Sequence, residues 1–117
     1  MPKSQMRGMQ TRQLFYALAD PTRRIIVELL ATNGQMSATD IYENFTVSHP
    51  TVSQHLKVLR EAELVRLEKR AQQRIYSLNP DAVRELGEWV RQIEELWDDN
   101  FDRLDELLEV EKKKKRK

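Results

Sequence analysis

Thr51, Ser53, Gln54, His55 and Lys57 bring hydroxyl, amide, imidazole and ammonium groups together in one short stretch. Val52, Leu56 and Leu59 run through them at i, i+4 and i+7. That spacing predicts a helix with one apolar stripe and one polar face. A face that only had to dissolve would usually carry Glu and Lys. Short or planar hydrogen-bonding groups suit base edges and phosphate oxygens in a DNA major groove. Gln54 is the best base reader, because its amide can bond an adenine edge bidentately. Ser48, Thr51 and Ser53 suit phosphate oxygens. His49 and His55 belong to the same segment, and His55 can face DNA or pack on a neighbouring helix. A plain solvent face is the competing reading, so the elements around the helix must decide.

Those elements follow from the flanking sequence. Residues 10–19 predict a first helix with Leu14, Phe15 and Leu18 on one face. Asp20 can cap a second helix, with Pro21 at its first position, where a missing N–H costs nothing. Ile25, Ile26, Leu29 and Leu30 form its apolar stripe, and Asn33-Gly34 ends it near Thr32. Arg23 and Arg24 open this helix, where backbone phosphate or plain solvent would suit them equally. Ser37 caps a short third helix carrying Ile41 and Phe45. A tight turn over residues 46–48 leads to the polar helix, capped by Ser48 with Pro50 in its first turn. Two short helices so joined form a helix-turn-helix. Residues 64–70 and 74–78 then predict a β-hairpin with Ala71-Gln72-Gln73 at its tip. Arg70 and Arg74 flank that tip, with Lys69 beside them. They suit phosphate or minor-groove contact, or serve as edge charges against aggregation.

From Asp81 onward the pattern stays helical for about 30 residues, roughly 45 Å. Leu86, Val90, Ile93, Trp97, Phe101, Leu104 and Leu108 recur at near-heptad spacing. The preceding domain is too small to cover so long a stripe. A second copy of the chain is the simplest cover, since symmetric dimers are the commonest soluble oligomers. The expected dimer interface is therefore these seven residues, helped by Leu14 of the first helix.

Charge divides along the same lines. Residues 1–78 hold 11 Lys/Arg against 7 Asp/Glu, a balance of +4. Residues 79–111 hold 3 against 12, or −9, and residues 112–117 are all basic, or +6. The first part can approach a polyanion, and the acidic helix more readily faces away. The expected layout is a flexible segment over 1–9, a DNA-binding domain over 10–79, a dimerisation helix over 80–111 and a disordered basic tail over 112–117. There is no cysteine, which excludes disulfides and thiolate metal sites. No apolar run reaches the roughly 20 residues of a membrane helix, and the first residues lack a signal-peptide core. A cytoplasmic protein is expected. No nucleophile–base set, phosphate loop or credible metal constellation points to an enzyme, a cofactor or a metal.

In this order of elements the chain resembles the ArsR family of winged helix-turn-helix repressors. The residues that carry the resemblance are Ala17–Leu30, Ser48–Arg60 and Arg74–Asn79. It implies a mainly α fold with a small β-hairpin, in the order α-α-α-α-β-β-α, dimerising through the long last helix. It implies a dimeric repressor of a palindromic operator, released by an effector that is often a metal ion. The alternative is a winged-helix interaction module that does not bind DNA. Several positions depart from the family. Metal-sensing members use cysteines or a His/Asp/Glu set in the last helix. Here the only histidines are His49 and His55, in the reader itself. Asp98, Asp99 and Asp102, without a histidine, make a poor transition-metal site. The chain thus resembles a branch without the metal sensor. Glu63 stands where many relatives have Gly, at a cost of about 1 kcal/mol if that position is left-handed. The hairpin tip also lacks Gly, so a two-residue primed turn is not expected and a longer or mobile wing is.

Overall fold

The computed structural model describes residues 3–115, and the side chains of residues 10–100 and 102–111. The elements are α1 (Lys3–Leu18), α2 (Pro21–Asn33), β1 (Gln35–Ser37), α3 (Ala38–Tyr42), α4 (His49–Glu61), β2 (Val65–Arg70), β3 (Gln73–Leu78) and α5 (Pro80–Lys115). They form two compact units, residues 1–85 and 86–117, so the division falls within α5.

In the first unit each helix buries part of the stripe its spacing prescribes, and Ile25 of α2, expected on that stripe, is 45% exposed. Leu14 and Ala17 of α1, Ile26 and Leu30 of α2, Ile41 of α3 and Val52, Leu56 and Leu59 of α4 are at most 2% exposed. Leu64, Val65 and Tyr76 close this core from the sheet side. Leu14 therefore packs inside its own chain. It does not belong in the expected dimer interface, because a residue 2% exposed has no surface left for a partner. Phe15 and Tyr16, the next residues of α1, are the exposed ones.

Helix ends are settled by local chemistry. The Asp20 carboxylate accepts from the backbone N–H of Thr22 at 2.7 Å and of Arg23 at 3.3 Å, and Pro21 follows at the first helical position. Gly34 ends α2 with φ +82°, its N–H donating to the Leu30 carbonyl at 2.8 Å. Ser37 caps α3 by accepting from Asp40 N. Helix α4 ends in a full Schellman motif: Leu64 N–H donates to Leu59 O and Glu63 N–H to Arg60 O, with Glu63 at φ +61°. Leu59 and Leu64, the pair that this motif brings into contact, are both fully buried. Asn79 then ties this turn to the next helix, donating from Nδ2 to Glu63 O at 2.8 Å and from N to Leu64 O at 2.9 Å.

The sheet departs from the sequence expectation in two ways. It has three antiparallel strands in the order β1-β3-β2, and not a hairpin alone. Gln35, Met36 and Ser37 pair with Ser77, Tyr76 and Ile75. A strand of three residues between a helix-ending glycine and a helix cap has too few positions to show a period of two. The wing is also tighter than expected. Arg70 pairs with Gln73, leaving Ala71 and Gln72 as a two-residue turn. Ala71 takes φ +55°, the first-position geometry of a primed turn that glycine normally supplies. Register over six residue pairs outweighs the left-handed cost at one residue.

The first helix begins at Lys3, not at residue 10, so the chain expected to be flexible is largely helical. Residues 3–12 hold no proline and one glycine, and nothing local stops a helix there. In the second unit, α5 carries the expected stripe. Val90, Ile93, Trp97, Leu104 and Leu108 are each 43–59% exposed, and Leu86 is half-buried. Phe101 lies outside the described side chains. The backbone remains helical to Lys115, past the expected end at 111, and the side chains of the basic tail also lie outside the described residues. No helix among the described residues is long and apolar enough to cross a membrane.

Candidate nucleic-acid interface

Helix α4 presents its polar face because its other face is consumed by the core. The chain approaches it from α3 through residues 43–48, and Ser48 turns it with extended backbone (φ −64°, ψ 153°). The Ser48 hydroxyl accepts from Thr51 N at 3.4 Å and shares a second hydrogen bond with the Thr51 hydroxyl at 2.9 Å. Tyr42, the last residue of α3, braces the start of α4. Its ring stacks on His49 with centroids 4.5 Å apart and planes 15° apart. Its hydroxyl lies 2.6 Å from Ser53 Oγ. Stacking plus one hydrogen bond tie α3 to the first turns of α4. Tyr42 carries no mark in the sequence that separates it from an ordinary half-buried tyrosine.

A second brace ties α4 to α1 and α2. Arg23 Nη1 lies 3.2 Å from His55 Nδ1. A guanidinium can only donate, so any hydrogen bond in this contact has Nδ1 as its acceptor. The same side chain donates from Nε to Ala17 O at 2.6 Å and from Nη2 to Tyr16 O at 3.3 Å, and lies over the Tyr16 ring. Arg24 donates to Leu18 O at 2.7 Å. Both arginines therefore cap the carbonyl end of α1, a role distinct from either phosphate contact or plain solvation. Asp20 completes the group. Desolvation pushes its carboxyl up. The Arg23 and Thr22 backbone N–H groups, with His55 and Arg23 nearby, outweigh that and hold it below the ordinary aspartate value.

The predicted site residues thus fall into two sets. Ser48, His49, Thr51, Ser53 and His55 each have a partner within the chain, although all but the half-buried His55 are exposed. Gln54 is exposed and its side chain has no hydrogen bond among the described residues. Lys57 is exposed, with Glu61 one turn on at 4.0 Å. The wing arginines do not converge. Strand alternation puts Arg74 and Tyr76 on one face, opposite Lys69 and Leu67, and Arg70 pairs with Gln73 on the other. Arg70 is engaged by Glu68 at 3.1 Å on that outer face. Arg74 instead meets α4: Ser53, Lys57, Arg60, Arg74 and Tyr76 line a cavity of about 180 Å³. Burial raises the Tyr76 hydroxyl above the ordinary tyrosine value, Tyr42 adds to this, and Arg60 and Arg74 oppose it. Arg60 is the residue the sequence reading missed. Its signal was present, since Ser53, Lys57 and Arg60 share one face at i, i+4 and i+7. Among the described residues no three His, Cys, Asp or Glu side chains are placed to hold a metal.

The family model for "Bacterial regulatory protein, arsR family" matches residues 20–66, which run from the α2 cap through α4 into β2. The transcriptional repressor SdpR of Bacillus subtilis (strain 168) is 40% identical over 77 residues, covering 66% of this chain and 84% of SdpR. The chain belongs to the ArsR family. A crystal structure of a possible transcriptional regulator for arsenical resistance superposes with a TM-score of 0.61 at 38% identity, over 79% of this chain and 91% of that one. An ArsR-like transcriptional regulator from Rhodococcus sp. RHA1 has a TM-score of 0.73 over 87% and 93% of the two chains. At 22% identity that likeness concerns the fold alone. Within the ArsR family this chain is a winged helix-turn-helix transcriptional regulator without cysteine.

Proposed function

We propose that this ArsR-family chain is a dimeric repressor that binds a palindromic operator in the cytoplasm and does no chemistry. The observation that carries the reading is the split on α4. Its apolar stripe is wholly buried, while Gln54 stands exposed and unbonded on the opposite side, flanked by Lys57. The bracing of His49, Ser53 and His55 supports it too, because a reader must be held at a fixed angle before it can discriminate bases. In this reading Gln54 contacts a base edge. Thr51, Ser53 and Lys57, with Arg74 on the wing, contact backbone, and Ser48 and His49 set the helix start. Arg70, held by Glu68, is a weaker contributor. Two copies joined through Val90, Ile93, Trp97, Leu104 and Leu108 would set two recognition helices about 34 Å apart, one DNA turn.

A fluorescence titration with DNA from upstream of its own gene tests the function. Binding is expected to fall steeply with salt and to be lost in Gln54→Ala combined with Arg74→Ala. Absence of binding to any upstream fragment at low salt would sink the reading. Light scattering during chromatography tests the assembly, where a monomer mass at tens of micromolar would exclude the dimer.

A further inference from the structure

The cavity between α4 and the wing combines features that a plain surface groove lacks. Lys57 and Arg60 of α4 and Arg74 of β3 line it, and no carboxylate does. Arg60 and Arg74 have no carboxylate partner among the described residues, and Lys57 reaches Glu61 only at 4.0 Å. Lys69 stands directly opposite Arg74 in the β2–β3 register, on the same sheet face. Like charges placed opposite each other destabilise a strand pair. Arg70 and Arg84, by contrast, each have a carboxylate partner, Glu68 and Asp81. The Tyr76 hydroxyl lies in the field of Arg60 and Arg74, and Ser53 holds its hydroxyl at the rim through Tyr42. A fork of guanidinium donors beside hydroxyl groups is the donor set a tetrahedral oxyanion takes.

We propose that this cavity seats one phosphate group, held by Arg60 and Arg74 with Lys57 at the edge. In the DNA complex that group is a backbone phosphodiester lying between recognition helix and wing. The assignment rests on the DNA-binding reading for its source of phosphate, and on the cavity alone for its chemistry. It gives Arg60 a role in fixing the register of α4 along the groove without reading a base. Neutralising Arg60 should weaken binding about equally for specific and nonspecific duplexes.

The test uses the full chain and a duplex selected by it from a random pool. Arg60→Gln should lower affinity about tenfold and reduce the slope of log affinity against log salt by about one. A scan of single neutral methylphosphonate substitutions along the duplex should find one position per half-site that weakens the wild-type protein. At that position the Arg60→Gln, Arg74→Gln double variant should lose nothing further. An identical methylphosphonate profile in wild type and double variant would overturn the proposal. A separate arm titrates inorganic phosphate into the free protein and follows the arginine side-chain N–H signals by NMR. Shifts at Arg60 and Arg74 that chloride at equal ionic strength does not produce support the seat, and equal shifts with chloride count against it. A protein that binds no duplex but passes this arm refutes the DNA source, leaving a free-anion site. Both substituted arginines are exposed, and an unchanged thermal midpoint checks that the variants fold.

Discussion

Helices α4 and α5 are both amphipathic, and their apolar stripes meet opposite fates. Val52, Leu56 and Leu59 of α4 are at most 1% exposed, whereas Val90, Ile93, Leu104 and Leu108 of α5 are 43–51% exposed. On α4 the core consumes the apolar face, so any function is left to the polar one. On α5 the relation inverts. Its polar face carries an excess of carboxylates, and its apolar face is what the chain leaves uncovered. One chain thus carries the same pattern twice, once with its apolar face buried in a core and once with that face exposed.

The contrast breaks most sharply at Leu56. Leu56→Ala should lower the unfolding free energy by about 2–5 kcal/mol, since the lost side chain leaves a cavity among α1, α2 and α4 neighbours. Leu104→Ala, measured by denaturant titration at a dilution where the chain is monomeric, should stay within about 0.5 kcal/mol. At high concentration it should weaken self-association instead. Comparable losses at both positions under dilute conditions would mean that the α5 stripe is covered by its own chain.

The polar face of α4 divides in turn, and DNA binding should expose the division. Gln54→Ala should cost about 1–3 kcal/mol against the selected duplex and relax discrimination at one base pair per half-site. Ser53→Ala should instead release Tyr42 and cost about 1 kcal/mol of stability. Its effect on DNA affinity should be equal for all sequences. If Ser53→Ala changes base preference more than Gln54→Ala does, the assignment of reader and brace is reversed.

Much of this was legible in the sequence because it is local. Asp20-Pro21, Asn33-Gly34, Ser37 and Ser48 placed four helix ends within about a residue, each by a side chain or backbone need that acts within one turn. The stripes of α2 and α4 named Ile26, Leu30, Val52, Leu56 and Leu59 of the core, although Ile25 proved exposed. The missing parts depend on partners distant in sequence. Strand β1 exists because β3 offers it an edge. Leu14 is core because α1 packs on elements distant in sequence, α2 and α4 among them. Tyr42 and Arg23 brace α4 across 11 and 32 residues of chain. Arg60 lay in plain view on the Ser53–Lys57 face, and only the path of β3 shows what it faces.

Two caps of the same kind separate by pH. Ser48→Ala should cost about 1 kcal/mol at any pH between acid and neutral, because a hydroxyl does not titrate there. The Asp20 cap acts through a carboxylate held below its ordinary value. Its contribution is therefore complete above the ordinary aspartate range and is lost as pH falls through the lowered folded-state value. Thermal melts from neutral to strongly acid pH should show the wild type losing this part of its stability while Asp20→Ser loses less. Parallel curves would show that the Asp20 charge contributes nothing to the cap.

The smallest effects should appear where a side chain occupies backbone better suited to glycine. Glu63 at φ +61° and Ala71 at φ +55° each adopt the left-handed region, at roughly 1–2 kcal/mol. Glycine removes that strain but loosens the unfolded chain by about 0.4–1 kcal/mol. Glu63→Gly should therefore gain about 0.5–1 kcal/mol in global stability. Its backbone bonds to Arg60 and Asn79 involve no side-chain atom of Glu63 and survive the change. Ala71→Gly should gain no more than this, and the gain should show as slower amide exchange along β2 and β3, because the wing tip is exposed and can open without the core. A loss of stability at Glu63→Gly would mean that its side chain holds the turn between reader and wing, which the Schellman bonds otherwise explain without it.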